Sequence, residues 1–255
     1  MRANQFSLLV LAVFGFLLTG CERETEEFQT EQIADYLPLQ AGKYFTYRLD
    51  STVFTQAGRA EETHSYQEKH VVDALVTDNL GRPSYRVFRY LRDVAGTQAW
   101  APAGTYWITP LNNSAEVIED NLRSIRLVLP VKQDETWKGF RFLPDDPYSS
   151  RFGFDWNNDD NMEDWDFTYQ SMNESLTLNS KTYNEVITLK HVDESINVPI
   201  TSPQAYAYIN FSEDKYAKGI GLIYQNLIMW EYQPNPGGSP FKEGFGVKRT
   251  LMENN

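Results

Sequence analysis

Gly219-Ile220-Gly221-Leu222-Ile223-Tyr224-Gln225-Asn226-Leu227-Ile228-Met229-Trp230-Glu231-Tyr232 is the stretch whose reading decides the fold. It is dense in aliphatic and aromatic residues, opens on two glycines and stops at Pro234-Asn235-Pro236-Gly237-Gly238. An apolar run of that kind bounded by turn formers reads as a β-strand. Side chains alternate across a strand, so Leu222, Tyr224, Ile228, Trp230 and Tyr232 share one face, expected to be the most buried surface of the chain.

The same texture recurs outward from it. Residues 44–54 are aromatic and β-branched, and Gln56-Ala57-Gly58 turns the chain toward a hairpin partner at 62–72. Asp78-Asn79-Leu80-Gly81-Arg82-Pro83 is a second turn, followed by an alternating strand at 84–91. Residues 98–109 read as a hairpin around Ala101-Pro102-Ala103-Gly104. Within 117–129, Leu122, Ile125 and Leu129 fit a helical stripe, whereas the approach to Pro130 fits a strand, which is favoured. Short extended structure is expected around Trp137, and strands at 165–178, 183–192, 204–211 and 244–252, with a short turn at 212–216. Residues 144–164, rich in Pro, Asp and Asn, cannot sustain a ladder. The expected fold is all-β with little helix: a curved antiparallel sheet, half-barrel or sandwich of about ten strands.

The N-terminus has the grammar of an export signal. Arg2 supplies a positive charge, residues 6–18 are an apolar run, and small residues precede Cys21. At about 1.5 Å per residue that run reaches roughly 20 Å, short of the ~30 Å hydrocarbon core of a bilayer. Leu18-Thr19-Gly20-Cys21 resembles the bacterial lipobox. The resemblance implies cleavage before Cys21, a diacylglyceryl thioether on its sulfur and a further acyl chain such as palmitate on its amine. Several chains, at about 0.8 kcal/mol per buried CH₂, make a lasting membrane anchor. The expected organisation is a signal peptide at 1–20, a flexible acidic tether at 21–32 and a single β-rich domain at 33–255. Acidic residues directly after Cys21 resemble the surface-export signal of Bacteroidetes lipoproteins, which implies a lipid-anchored outer-membrane protein exposed at the cell surface.

Composition narrows the function classes. The chain has 35 acidic and 23 basic residues, a net charge of −12 at pH 7, which argues against nucleic acid and against docking on anionic headgroups. Cys21 is the sole cysteine, so with its sulfur lipidated no disulfide, thiolate nucleophile or Cys-based zinc site remains. Stability must come from packing, and 15 Tyr, 15 Phe and 6 Trp are there to supply it.

Three further stretches carry a family resemblance. Tyr36-Leu37-Pro38-Leu39-Gln40-Ala41-Gly42, Leu129-Pro130 with Trp137, and Tyr216-Ala217-Lys218-Gly219-Ile220-Gly221 resemble, in order, motifs of uncharacterised Bacteroidetes envelope lipoproteins. The resemblance implies a half-barrel of lipoprotein-carrier type with an apolar concave face. It brings no catalytic residues with it.

No nucleophile elbow, His-Glu-x-x-His or Walker loop is present, and the chain is expected not to be an enzyme. His64, Tyr66, Glu68 and His70 share one strand face, read as solvated; the two histidines lie too far apart to share a metal. From Asp155 to Asp166, oxygen-bearing residues recur at the spacing of an EF-hand-like calcium loop, with Asp155, Asn157 and Asp159 as candidate ligands. Asp160 stands where that loop needs Gly, and Asp166 where it needs Glu. Trp156 and Trp165 flank the loop as a candidate sugar-stacking platform. The leading expectation is a non-catalytic, lipid-anchored binding module for a hydrophobic small molecule or an envelope protein partner. The alternative is a surface glycan-binding or adhesion accessory protein.

Overall fold

The computed structural model describes residues 31–145, 147–148 and 161–255. A four-residue helix, α1 (Ile33–Tyr36), leads into twelve strands: β1 (Tyr44–Thr55), β2 (Ala60–Thr77), β3 (Pro83–Asp93), β4 (Ala101–Pro110), β5 (Ser114–Glu119), β6 (Leu122–Val128), β7 (Thr136–Lys138), β8 (Asp166–Leu178), β9 (Lys181–Ile196), β10 (Ala207–Ala217), β11 (Gly221–Gln233) and β12 (Phe241–Asn254). A 3-10 turn at Met162–Asp164 precedes β8. All twelve strands join one antiparallel sheet in the order β6-β5-β4-β3-β2-β1-β12-β11-β10-β9-β8-β7. Sequence neighbours pair throughout, with β1 and β12 joining the two halves, and the sheet curls into a nearly closed barrel. The expected all-β curved antiparallel sheet is therefore present, with twelve strands.

Side chains close the gap between the outer strands β6 and β7. The Tyr169 hydroxyl donates to the Val128 carbonyl at 2.8 Å and accepts from the Val128 N–H at 3.0 Å. The Trp137 indole donates to the Ile125 carbonyl at 2.8 Å, and the Ile125 N–H donates to the Gly139 carbonyl at 2.7 Å. Polar backbone groups at a sheet edge would otherwise go unpaired, and these bonds satisfy several of them.

One end of the barrel is covered by α1 and Leu37-Pro38-Leu39. Ile33 and Tyr36 are buried in a cluster with Leu127, Tyr169, Leu189 and Tyr216, while Leu37, Leu129, Trp137 and Leu222 pack around it. The Asp35 carbonyl accepts from the Gly219 N–H at 2.6 Å. The three stretches that carried the family resemblance thus meet in one core cluster.

Four details differ from the sequence reading. The approach to Pro130 is the favoured strand, β6, but 117–129 also holds the end of β5: Asp120 and Asn121, both at positive φ, turn β5 into β6 as a tight hairpin. Residues 98–109 form no hairpin; β4 continues through Gly104 with a bulge beside it, and Gly104 opposite Arg89 leaves that side chain room. Residues 212–216 are strand within β10, not a turn. On β11 the buried positions are Gly221, Ile223, Met229, Glu231 and Tyr232, so Leu222, Tyr224, Ile228 and Trp230 are not the deepest face. Two causes combine there: a register shift opposite Lys215/Tyr216, and a lumen that accepts the polar Gln225.

Candidate functional site

On the concave face of the barrel, residues of β1 to β6 and β10 to β12 converge around two chambers. The first, about 90 Å³, lies beneath the end-cover and is lined by Leu37, Leu39, Phe45, Val72, Val87 and Ile108 among others. The second, about 100 Å³, lies toward Phe140, Leu143, Leu227, Phe245 and Val247. Glu119, Arg126, Gln225 and Arg249 line both, so they form a polar belt between a largely apolar space and one of mixed lining.

The belt is built from strand alternation. On β12, Phe245, Val247, Arg249 and Leu251 are two apart, and Arg249 is the charged member of that row. Its Nε donates to Glu68 Oε2 at 2.6 Å and its Nη2 to Glu68 Oε1 at 3.3 Å, while its Nη1 donates to the Gln225 side-chain carbonyl. Gln225 Nε2 then donates to Asp214 Oδ1 at 2.9 Å. Arg126 Nη1 reaches Asp214 Oδ2 at 3.5 Å, a contact between β6 and β10. On the other side Arg89 pairs with Glu119 and, at 3.5 Å, with Asp120.

Burial by itself would raise the Glu68 carboxyl, but Arg249 and His70 overcome it and hold the group well below the usual carboxylate range. Against the same burial effect, Arg249 and Arg89 keep Glu119 ionised as well. Glu68 in turn outweighs the burial of Arg249 and holds its guanidinium firmly charged. Burial pushes the Tyr47, Tyr106 and Tyr216 hydroxyls up, so they act as neutral hydrogen-bonding groups. The face expected to be solvated is therefore split. His64 is exposed on the part of β2 that runs past its pairing with β3, whereas Glu68 and His70 are buried in the lumen. His70 Nδ1 bonds the Tyr106 hydroxyl at 2.9 Å, and its Nε2 lies 3.1 Å from Glu68 Oε2.

Deeper in the wall, Ser212, His191 and Asp214 have the residue types of a charge relay. His191 Nδ1 is 2.8 Å from Ser212 Oγ, but its Nε2 is 3.8 Å from Asp214 Oδ2. Phe167 stacks on the imidazole at 3.7 Å between centroids. Burial, with Arg126 adding to it and Asp214 opposing, lowers the imidazole pKa to about 4. A base that weak does not take a hydroxyl proton at neutral pH. The cluster reads as packing.

Cys21, the tether apart from its last two residues, and the calcium-loop candidates Asp155, Asn157 and Asp159 lie outside the described residues, as does Trp156. Among the described residues no group of three His, Cys, Asp or Glu could hold a metal ion. Trp165 is half-buried, its ring 5.8 Å from that of Phe140. Sequence reasoning missed the belt. A signal was there: Arg249 alone in the row Phe245, Val247, Leu251, and Glu68 and His70 in register with Val72.

Fold and lumen together define an up-and-down β-barrel with a small, internally compensated interior, a scaffold class that holds ligands as well as side chains. No protein-family model matches the chain, and no curated protein does. Among solved structures, a domain described as an outer membrane lipoprotein-sorting protein from Vibrio parahaemolyticus is similar over 84% of this chain and 85% of its own, at 8% identity and a TM-score of 0.19. A likeness that slight carries no argument about ligand or partner.

Proposed function

We propose that the chain is a lipid-anchored envelope protein, tethered through Cys21 to the outer membrane, whose barrel binds a small hydrophobic molecule without turning it over. The observation that supports this reading is the lumen: an apolar chamber beneath the end-cover and a mixed one toward Phe140 and Phe245, on either side of a belt of paired charges. Ligand sites are concave, mostly apolar and carry a few placed polar groups, and the lumen has that composition. Among the described residues, the belt carboxylates are held ionised by guanidinium partners and the buried imidazole in a Ser/Asp setting is a weak base, which suits binding without turnover.

The test has two arms. The purified mature protein is extracted and the released small molecules identified by mass spectrometry, and the apolar chamber is probed directly with xenon, which enters dry apolar cavities. A bound apolar molecule or saturable xenon binding at the Val72, Val87 and Ile108 methyls supports the reading; neither would overturn it. The anchor is tested separately: palmitate labelling is expected on the wild-type chain and lost in Cys21→Ala, and equal membrane fractionation of the two would remove the anchor from the proposal.

A further inference from the structure

The three guanidinium groups of the belt are not equally engaged. Arg249 is held by both oxygens of Glu68 and by Gln225; Arg89 is held by Glu119 and Asp120, and its unpartnered Nε lines neither chamber. Arg126 makes one long contact, 3.5 Å to Asp214 Oδ2, and its face lies 5.5 Å from the Phe140 ring centre. That aspartate is already shared: Gln225 donates to its other oxygen at 2.9 Å, and the Tyr216 hydroxyl approaches the first at 3.5 Å. Arg126 lines both chambers, so donor capacity on a fixed positive charge faces apolar space. A guanidinium offers five N–H donors in a planar fork suited to a carboxylate.

A second group at the same floor points the same way. His70 lines the chamber beneath the end-cover, its side chain is nine-tenths buried, and its Nε2 has no aligned hydrogen-bond partner despite the nearby Glu68. Glu119 and Asp214 also line that chamber, each already paired with a guanidinium, and toward the end-cover it offers an apolar chain Leu37, Leu39, Phe45, Val72, Val87 and Ile108.

Size restricts the chain. An apolar cavity of about 150 Å³ accommodates benzene, so the ~90 Å³ here suits roughly four carbon atoms. Resting on the reading of the lumen as a hydrophobic binding site, we infer that the ligand class is a short-chain carboxylate of about butyrate size, its carboxylate on Arg126 and its chain toward Leu37-Pro38-Leu39.

The experiment is a titration of the methyl-labelled mature protein with butyrate, 1-butanol and xenon, followed at the Val72, Val87 and Ile108 methyl resonances. Butyrate is expected to bind at least tenfold more tightly than 1-butanol, and Arg126→Gln to erase that preference while xenon binding persists. Asp214→Asn, which frees Arg126 from its acidic partner, is expected to tighten butyrate several-fold and serves if the Arg126 variant does not fold. Equal binding of butyrate and butanol, unchanged in Arg126→Gln, would overturn the role of Arg126 and leave the hydrophobic reading standing. No response to any of the three probes would overturn both. A preference for octanoate over butyrate would overturn the size class.

Discussion

Arg249 of β12 grips Glu68 of β2 across the intervening strand β1, at 2.6 Å and 3.3 Å, inside the barrel. Two buried opposite charges held by two hydrogen bonds compensate each other's lost hydration, but neither is tolerated alone. Glu68→Gln should therefore destabilise the chain by about 3–5 kcal/mol. Replacing both residues, as Glu68→Met with Arg249→Met, should recover a large part of that loss, since apolar side chains suit the flanking Val247 and Leu251. Urea midpoints of the single and double variants check this; a double variant as unstable as the sum of the singles would contradict it.

Closure of the barrel predicts a different signature. The Tyr169 hydroxyl makes two bonds to one residue, Val128, on the outer strand β6. Tyr169→Phe keeps the buried ring and removes only the oxygen, leaving an N–H and a carbonyl of a sheet edge unpaired. The expected loss is about 1–3 kcal/mol. Amide exchange should accelerate at Val128 more than at Val72 or Val87, in the middle of the sheet. Uniform acceleration would mean that the seam has no separate opening.

How far the sequence reached can be seen residue by residue. Strands were legible because period-two patterning and clusters such as Gln56-Ala57-Gly58 are local, and β1, β2, β9 and β12 overlap the expected segments closely. The β5–β6 hairpin was obscured because Leu122, Ile125 and Leu129 also fit a helical stripe; the Asp120-Asn121 turn that settles it is a weak hairpin signal without a following Gly. The belt was illegible by the usual rule, which assigns Glu68, His70 and Gln225 to water. What defeats the rule is closure: once a sheet curls, its inner face can hold charges that pair across strands remote in sequence, as Glu68 and Arg249 do. The three resemblance stretches supply packing residues that meet under α1.

Gly139 tests how tightly the segment after β7 seats against the barrel wall. A Cβ there would lie 2.4 Å from Cδ2 of Phe167, a fully buried ring stacked on His191. Neither ring has room to retreat, so Gly139→Ala should cost about 1–3 kcal/mol as an overpacking change. Phe167→Leu in the same background should restore part of it. A neutral Gly139→Ala, measured by thermal unfolding, would show that the segment shifts freely.

The pH dependence of stability should have two separable windows. His191 is a base whose folded pKa, about 4, lies below its unfolded value near 6.5. Between those values the unfolded chain binds more protons than the folded one, so stability falls as pH drops through this window. At 1.36 kcal/mol per unit, lowering the pH from 6.5 to 5 should cost roughly 2 kcal/mol through His191 alone. Glu68 and Glu119 act lower: their folded pKa values are depressed, so their contribution is complete above the unfolded carboxylate range and is lost only as pH falls below it. His191→Gln should flatten the profile between pH 6.5 and 5 and leave the acid limb in place, as read from urea midpoints at each pH. A wild-type profile already flat from pH 6.5 to 5 would mean that the imidazole is protonated within the fold. In that case Asp214, 3.8 Å from its Nε2, outweighs both burial and Arg126.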